Sequence, residues 1–346
     1  MNETTNTQVT QEDINVLKKE LRKASNHNSV VLLIFLGFTL ILSLVLQPII
    51  QYKSVEPDRA EKLLFLGSIL VQFLIAAPLS IIVAKLSKEG RKYPPLRSLF
   101  RKPESTMKQT VRWIFIGFFI GRAVSIISVY FFMLIEKIIG RELTAVDFTS
   151  DGSSFNTFVN LLSIVILAPI IEELIFRGIL ANNSMRFGKL SAIITSGICF
   201  GLYHMNYEQV IYAASLGIVL AFLLEKTKSI IPCIIFHVFF NTFGAITSLF
   251  PGEVLESIKN QDIEYISKHL PSCLAMTAVS LGITASMVIG LVLLIIEIQQ
   301  HKDTFKLEKI HPEMTEGQKI LTYFTAPATV VLLIIIIALT VANALQ

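Results

Sequence analysis

Charged residues are scarce in this sequence, at 16% of 346 positions. A soluble domain of ordinary composition carries about a quarter. Hydrophobic residues reach 53%, and the mean hydropathy is +0.63. These values exclude an ordinary soluble domain and predict an integral membrane protein built of many helices. The net charge of +4 is too small to indicate a nucleic-acid partner.

Cysteine is also scarce, with Cys199, Cys233 and Cys273 as the complete set. Each lies in or beside an apolar run, and no C-x-x-C pair occurs, so a disulfide framework or a cysteine zinc site is not expected. We predict buried thiols. The H-E-x-x-H signature of zinc proteases is missing too. No cleavable signal peptide is evident, because residues 1–29 are polar and the first apolar run is long enough to stay in the membrane.

Nine apolar runs approach the ~20 residues that are needed to cross a ~30 Å hydrocarbon core. Because lipid offers the backbone no hydrogen-bond partner, these runs are predicted to be helices. The sequence therefore predicts an all-α, polytopic bundle of eight to nine spans. The predicted spans are 30–50, 63–84, 111–135, 155–176 or a little beyond, 190–205, 209–224, 230–250, 274–298 and 326–345.

Lysine and arginine are distributed unevenly between the loops. If the N-terminus is cytoplasmic, the inner segments carry 21 of them and the outer segments carry 7. Cytoplasmic loops are the ones that accumulate Lys and Arg. We therefore expect a cytoplasmic N-terminus and an outer C-terminus. Arg122 is a lone charge within the third run and receives no role from the sequence.

Three charged residues interrupt the fourth run, namely Glu172, Glu173 and Arg177. Each costs about 2.5–3.5 kcal/mol at the centre of a membrane helix, so their presence needs a reason. Glu173 and Arg177 are spaced i, i+4 and are predicted to form an ion pair. Glu172 points about 100° away on the helix and has no local partner.

Two further pairs share a helix face at i, i+4 spacing, Phe200 with His204 and His237 with Asn241. Each pair alone is compatible with helix–helix packing. Their depths favour a joint site, because a turn at 187–188 puts Glu172 and His204 both ~24 Å from it. His237 is expected to be shallower, ~15 Å from its loop, unless Pro232 kinks the helix. We expect an intramembrane polar cavity.

These side chains suit amide hydrolysis, which needs an activated water, a base and donors for the developing oxyanion. Glu172 is the candidate base, and His204 would hold the same water. His237 and Asn241 would donate to the oxyanion. Glu173 and Arg177 would orient the helix that carries Glu172. No serine or cysteine has a convincing activating partner, so covalent catalysis is disfavoured.

A metal site is the alternative reading of the same residues. Glu172, His204 and His237 could bind Zn²⁺ as a three-ligand open site. Since H-E-x-x-H is missing, we favour water activation without a metal and expect no cofactor, with zinc as the alternative.

The segments E-E-L-I-F-R (172–177), F-G-L-Y-H (200–204) and H-V-F-F-N (237–241) resemble three motifs of one family. The motifs are E-E-x-x-x-R, F-x-x-x-H and H-x-x-x-N. The family is the CAAX-protease and bacteriocin-processing (CPBP) family, also called Abi or type II CAAX prenyl endopeptidase-like proteins. The resemblance covers about 155–250. It implies an intramembrane protease with a core of about eight spans, catalytic Glu172, His204, His237 and Asn241, and supporting Glu173, Arg177 and Phe200. Members are also described as metalloproteases.

The resemblance divides the chain into four expected parts. These are a cytoplasmic tail (1–29), N-terminal membrane helices (30–154), the catalytic core (155–250) and C-terminal membrane helices (251–346). It implies a bacterial cell-membrane protein that cuts a small hydrophobic or lipidated, membrane-associated peptide. Two alternatives are a non-catalytic scaffold or bacteriocin-immunity protein of the same family and, less favoured, a transporter.

Overall fold

The computed structural model describes residues 10–52, 57–141, 143 and 154–345. Every regular element in this part of the chain is helical, so the predicted all-α class is confirmed. The α-helices are, in order, α1 Gln11–Tyr52, α2 Pro57–Val71, α3 Ala77–Leu86, α4 Met107–Ile139, α5 Ser154–Leu162, α6 Ala168–Glu172, α7 Asn182–Ser184, α8 Lys189–Tyr203, α9 Tyr207–Thr227, α10 Ile231–Thr247, α11 Gly252–Asn260, α12 Ile263–Lys268, α13 Leu270–Gln300, α14 Glu316–Phe324 and α15 Pro327–Ala344.

Three segments of π-helix join consecutive α-helices into longer rods. They are Gln72–Ala76, Ser163–Leu167 and Glu173–Ala181. The last two belong to one membrane-spanning helix, Thr157–Ser184, which carries the paired glutamates. A π-helical turn is wider than an α-turn and is frequently found at functional sites.

Six described helices are long and apolar enough to cross a membrane, and a seventh span results if α10 and α11, bent by 74°, are one crossing. The protein is therefore a multi-pass integral membrane protein. Two predicted spans are not in this set. The run 190–205 is α8, whose 15 residues extend only ~22 Å. The run 30–50 lies within α1, but most of its side chains from position 39 onward are outside the described residues.

Glycine permits the closest helix contacts around the centre of the bundle. A Cβ atom at Gly201 of α8 would lie 2.3 Å from the Val210 carbonyl oxygen of α9, and one at Gly290 of α13 would lie 2.1 Å from the Phe115 carbonyl of α4. Because these neighbours are backbone atoms, side chains larger than hydrogen are excluded at both positions. The contacts fix α8 against α9 and α13 against α4.

The two ends of the chain pack together. Ser29 of α1 and Thr329 of α15 share a buried hydrogen bond of 2.7 Å, and the Ala328 amide donates to the Asn26 side chain at 2.9 Å. The three cysteines are free and buried, as predicted. The terminal helices thus brace a core formed by α4, the Thr157–Ser184 rod and α8 to α10.

Candidate active site

A cavity of about 430 Å³ lies between these core helices. Glu172, His204, His237 and Asn241, the four residues proposed from the sequence to act in catalysis, all line it. Most of the remaining wall is apolar. The other lining residues are Arg122, Ser125, Ile164, Ala168, Phe200, Gln209, Tyr212, Ala213, Leu216, Phe240, Gly244, Ala245 and Ser248.

Glu173 and Arg177 form the i, i+4 ion pair that their spacing predicts, with 3.1 Å between Glu173 Oε1 and Arg177 Nη1. Both side chains are completely buried. Arg177 also donates to the Gly217 carbonyl of α9 at 3.2 Å and stacks 4.4 Å above the Phe200 ring. This pair therefore ties the rod of the paired glutamates to α8 and α9.

The contact of Glu173 with His237 was not predicted. Glu173 Oε1 lies 2.9 Å from His237 Nδ1, while His237 Nε2 faces Glu172 Oε2 at 3.7 Å. An ionised carboxylate only accepts hydrogen bonds, so Nδ1 carries the proton that points at Glu173. Nε2 is thereby turned into the cavity beside Glu172. Glu173 orients a histidine as well as the helix that carries Glu172.

His237 was expected to be shallower than Glu172, but its Nε2 lies only 3.7 Å from Glu172 Oε2. The turn before α10 is tucked into the bundle, where Ser229 and Ile230 are fully buried. The Ile230 amide donates to the Leu99 carbonyl at 2.9 Å. Pro232 lies in the first turn of α10, where proline fits without a kink. The buried turn and the straight first turn of α10 accompany the contact of His237 with Glu172.

Phe200 holds both histidines in place. Its ring packs edge-on against His204 and His237, with centroids at 4.9 and 5.6 Å. Its carbonyl oxygen lies 2.8 Å from His204 Nδ1. A carbonyl can only accept, so Nδ1 of His204 is the protonated nitrogen and Nε2 of the neutral ring is an acceptor.

Asn241 is positioned by the π-helical turn that precedes Glu172. In that turn the Ala168 N–H reaches back five residues to the Ser163 carbonyl. The next donor in the series would be Pro169, which has no N–H. The Ile164 carbonyl is left without that donor and accepts from Asn241 Nδ2 at 2.9 Å. The second N–H of the same amide remains for a ligand.

Arg122 of α4 is a cavity residue that the sequence did not place. Its guanidinium lies 4.7 Å from the centroid of the Phe240 ring and 5.5 Å from that of Phe118. The only sequence signal was an arginine within an apolar run. Which neighbours it meets depends on the packing of α4 on α10, which one sequence does not reveal.

In the described part of the chain, no group of three or more His, Cys, Asp and Glu side chains is arranged to hold an ion. Glu172, His204 and His237, the residues of the zinc alternative, therefore do not fit as a three-ligand site. We derive no step through a metal.

Comparisons with known proteins address the same segment. Residues 154–243 match the family described as "Type II CAAX prenyl endopeptidase Rce1-like". A protein of Bacillus subtilis (strain 168), named "Putative membrane peptidase YdiL", is 34% identical over 92 residues, which are 25% of this chain and 36% of that protein. The match thus spans about a third of the relative's length. No solved structure matches the chain. The resemblance drawn from the three motifs is confirmed.

Proposed function

We propose that this chain, whose residues 154–243 match the type II CAAX prenyl endopeptidase Rce1-like family, is an intramembrane endopeptidase. It would hydrolyse a peptide bond in a small membrane-associated peptide. The observation that carries the proposal is the cavity itself. A carboxylate, two imidazoles and an amide from three separate helical segments line one space of about 430 Å³.

Glu172 is the proposed base. A water in contact with its carboxylate would attack the carbonyl carbon of the scissile bond while Glu172 takes one proton from that water. The carbon–nitrogen bond then breaks, and Glu172 returns the proton to the departing amine nitrogen. The water's oxygen ends in the new carboxyl group, so atoms and charge balance.

His204 is the proposed second contact of that water. Because its Nδ1–H is committed to the Phe200 carbonyl, Nε2 of the neutral ring can accept a hydrogen bond from the water. An acceptor here would keep the water's oxygen lone pair turned toward the substrate.

His237 and Asn241 are the proposed donors for the oxyanion. His237 would donate from an Nε2–H that faces the cavity 3.7 Å from Glu172, while its Nδ1–H is held by Glu173 at 2.9 Å. Asn241 would donate its free N–H while its other N–H holds the Ile164 carbonyl. Donors of this kind are typically worth about 10²–10³ in rate each.

A substrate for this site has to enter from the membrane. The cavity wall is mostly apolar and lies among membrane-spanning helices. A hydrophobic or lipidated peptide would bring its scissile bond to this depth at lower cost than a polar one. We also propose that the N-terminus lies in the cytoplasm, from the distribution of Lys and Arg, and that the membrane is a bacterial cell membrane, from the similarity to the Bacillus subtilis protein.

A non-catalytic scaffold of the same family is the less favoured reading. A scaffold has no need of a half-buried carboxylate that faces an imidazole in a cavity and, among the described residues, has no lysine or arginine partner. Here Arg177 is paired with Glu173, whereas Glu172 is 13% exposed to the cavity.

The experiment compares the wild-type protein with Glu172→Ala in proteoliposomes that contain synthetic N-acylated apolar peptides. We expect cleavage by wild type only, with equal yields of folded protein. Cleavage by Glu172→Ala at the wild-type rate would remove the base assignment. The metal content and the activity of the same samples are measured before and after chelator treatment. We expect chelator treatment to leave the activity unchanged. Stoichiometric zinc that is lost together with activity would overturn the metal-independent mechanism.

A further inference from the structure

Arg122 lies near the middle of α4, far from either end of a 33-residue membrane helix. Its neighbour Gly121 lets α4 approach α10 closely, since a Cβ atom there would come within 2.8 Å of the Phe240 ring. This approach directs Arg122 into the same cavity as Glu172 and His237. The cation is thus held at the candidate active site by the packing of two helices.

Among the described residues, the contacts of Arg122 provide no carboxylate partner for its charge. One terminal nitrogen makes a long hydrogen bond of 3.5 Å to the Phe240 carbonyl, and Nε is buried with no partner. The remaining contacts are with the two phenylalanine rings. Across the described ranges, no Asp or Glu oxygen comes within 4.0 Å of this guanidinium.

Two other arginines in membrane-spanning helices each have a carboxylate partner within the protein. Arg112, ten residues earlier on α4, is 2.9 Å from Glu297. Arg177 is 3.1 Å from Glu173 and also donates to a carbonyl. Both are paired within the protein, so an unpaired arginine is not the norm for this fold. Arg122 differs by lining a cavity that a ligand can enter.

We infer that Arg122 binds a carboxylate of the substrate inside the active-site cavity, an inference that rests on the proposed peptidase function. The guanidinium presents a planar fork of N–H donors that matches the two oxygens of a carboxylate, whereas a lysine would offer only a point charge. A buried Nε–H without a partner and the terminal N–H groups supply that fork. A bound anion would supply the counter-ion that the helices do not.

Arg122 and Asn241 line the same cavity. The guanidinium rests on Phe240, the residue that directly precedes Asn241 on α10. A carboxylate on Arg122 would therefore share this cavity with the carbonyl that Asn241 would hold. The substrate class is a peptide that carries a carboxylate into the cavity.

Two sources could provide this group, the free carboxyl terminus of the peptide or an Asp or Glu side chain next to the cut. The probe is an N-dodecanoyl pentapeptide of apolar residues in three forms. One form ends in the free acid, one ends in the amide, and one ends in the amide with Glu as the penultimate residue. Binding to full-length Glu172→Gln protein in detergent is measured by calorimetry, so no turnover is required.

We expect the free acid to bind about 10- to 100-fold more tightly than the plain amide, the range for one hydrogen-bonded charge pair. Arg122→Gln should reduce that ratio to about one, and Arg122→Lys should reduce it partly. Arg141→Gln, which removes a cation near the end of the same helix and outside the cavity, should leave the ratio unchanged. If only the Glu-containing amide shows the preference, an acidic side chain is the source.

Equal affinity of Arg122-containing protein for all three probes, or no binding of any, would overturn the inference. So would an acid-to-amide ratio that Arg122→Gln leaves intact. If Arg122→Gln fails to fold, Arg122→Lys keeps the charge and still has to lower the ratio. Acid-selective binding through Arg122, without any cleavage by wild type, would contradict the peptidase proposal but not the carboxylate-binding role of Arg122. Glu172-dependent cleavage with no preference for the acid would contradict the carboxylate-binding role of Arg122 but not the peptidase proposal.

Discussion

Glu173→Gln tests the buried network from which the site is built. The substitution keeps the size of the side chain but removes the negative charge between Arg177 and His237, which lie 3.1 and 2.9 Å away. Loss of one partner from a buried ion pair typically costs 3–5 kcal/mol. Arg177 would retain the Gly217 carbonyl and the Phe200 ring, and the glutamine oxygen can still accept. We therefore expect the unfolding free energy to fall by about 3 kcal/mol, the lower end of this range.

The variant should also lose activity beyond its loss of stability. Without the carboxylate, His237 loses the charged acceptor that holds its Nδ1–H. Removing an orienting partner of a functional histidine at metal sites costs about 10- to 100-fold, and we expect a similar fall in turnover here. Unfolding free energy would be measured by SDS titration in mixed micelles, and turnover by peptide cleavage under conditions where both proteins are folded.

Glu297→Gln is the matched control. Glu297 is 3% exposed and pairs with Arg112 at 2.9 Å, but it does not line the cavity. Arg112 is 18% exposed and can be hydrated, so we expect a loss of about 1–3 kcal/mol without a change in turnover. Equal turnover of Glu173→Gln and wild type would refute the role of Glu173 in holding His237. An unchanged unfolding free energy would refute the buried ion pair.

Three further predictions concern other parts of the chain. Asn241→Ala should slow cleavage by about 10²–10³ and cost roughly 1 kcal/mol of stability, because the Ile164 carbonyl loses its donor; wild-type kinetics would remove the oxyanion role. Gly201→Ala should cost about 1–3 kcal/mol in thermal unfolding, because its Cβ would lie 2.3 Å from the Val210 carbonyl; an unaltered melting temperature would contradict the close α8–α9 contact. Burial raises the pKa of Glu89, but hydrogen bonds from a lysine and a tyrosine outweigh it and lower the pKa below 4.5. This stabilisation, below about 1 kcal/mol, is present above pH 4.5 and is lost as pH falls through the lowered pKa; Glu89→Gln should therefore be less stable than wild type at pH 7, and the difference should narrow as the pH is lowered, as urea titrations would check.

Features encoded by local spacing could be predicted from the sequence. The helices follow from long apolar runs, and the Glu173–Arg177 pair follows from i, i+4 spacing, since both depend on neighbours within one helix. The same spacing put His237 and Asn241 on one face. Residues 1–9 and most of 142–153 lie outside the described chain, so expectations about those parts stay predictions.

Features that join distant segments could not be predicted in this way. Glu173 meets His237 across 64 positions, and Asn241 meets Ile164 across 77. The second contact also needs the π-helical turn that precedes Pro169. A π-helical turn has no distinct hydrophobic period by which a sequence could reveal it. The contact of His237 with Glu172 depends on how α10 packs, and the turn before α10 is bonded to a remote loop at Leu99. In each case helix packing decided the outcome, and one sequence carries no record of it.

An experimental structure of the protein in lipid nanodiscs, at a resolution that shows ordered water, would test the central claim most directly. We predict a water within hydrogen-bond distance of the Glu172 carboxylate and of Nε2 of His204. A metal ion at that position, or the four side chains separated beyond the reach of a common water, would contradict the account.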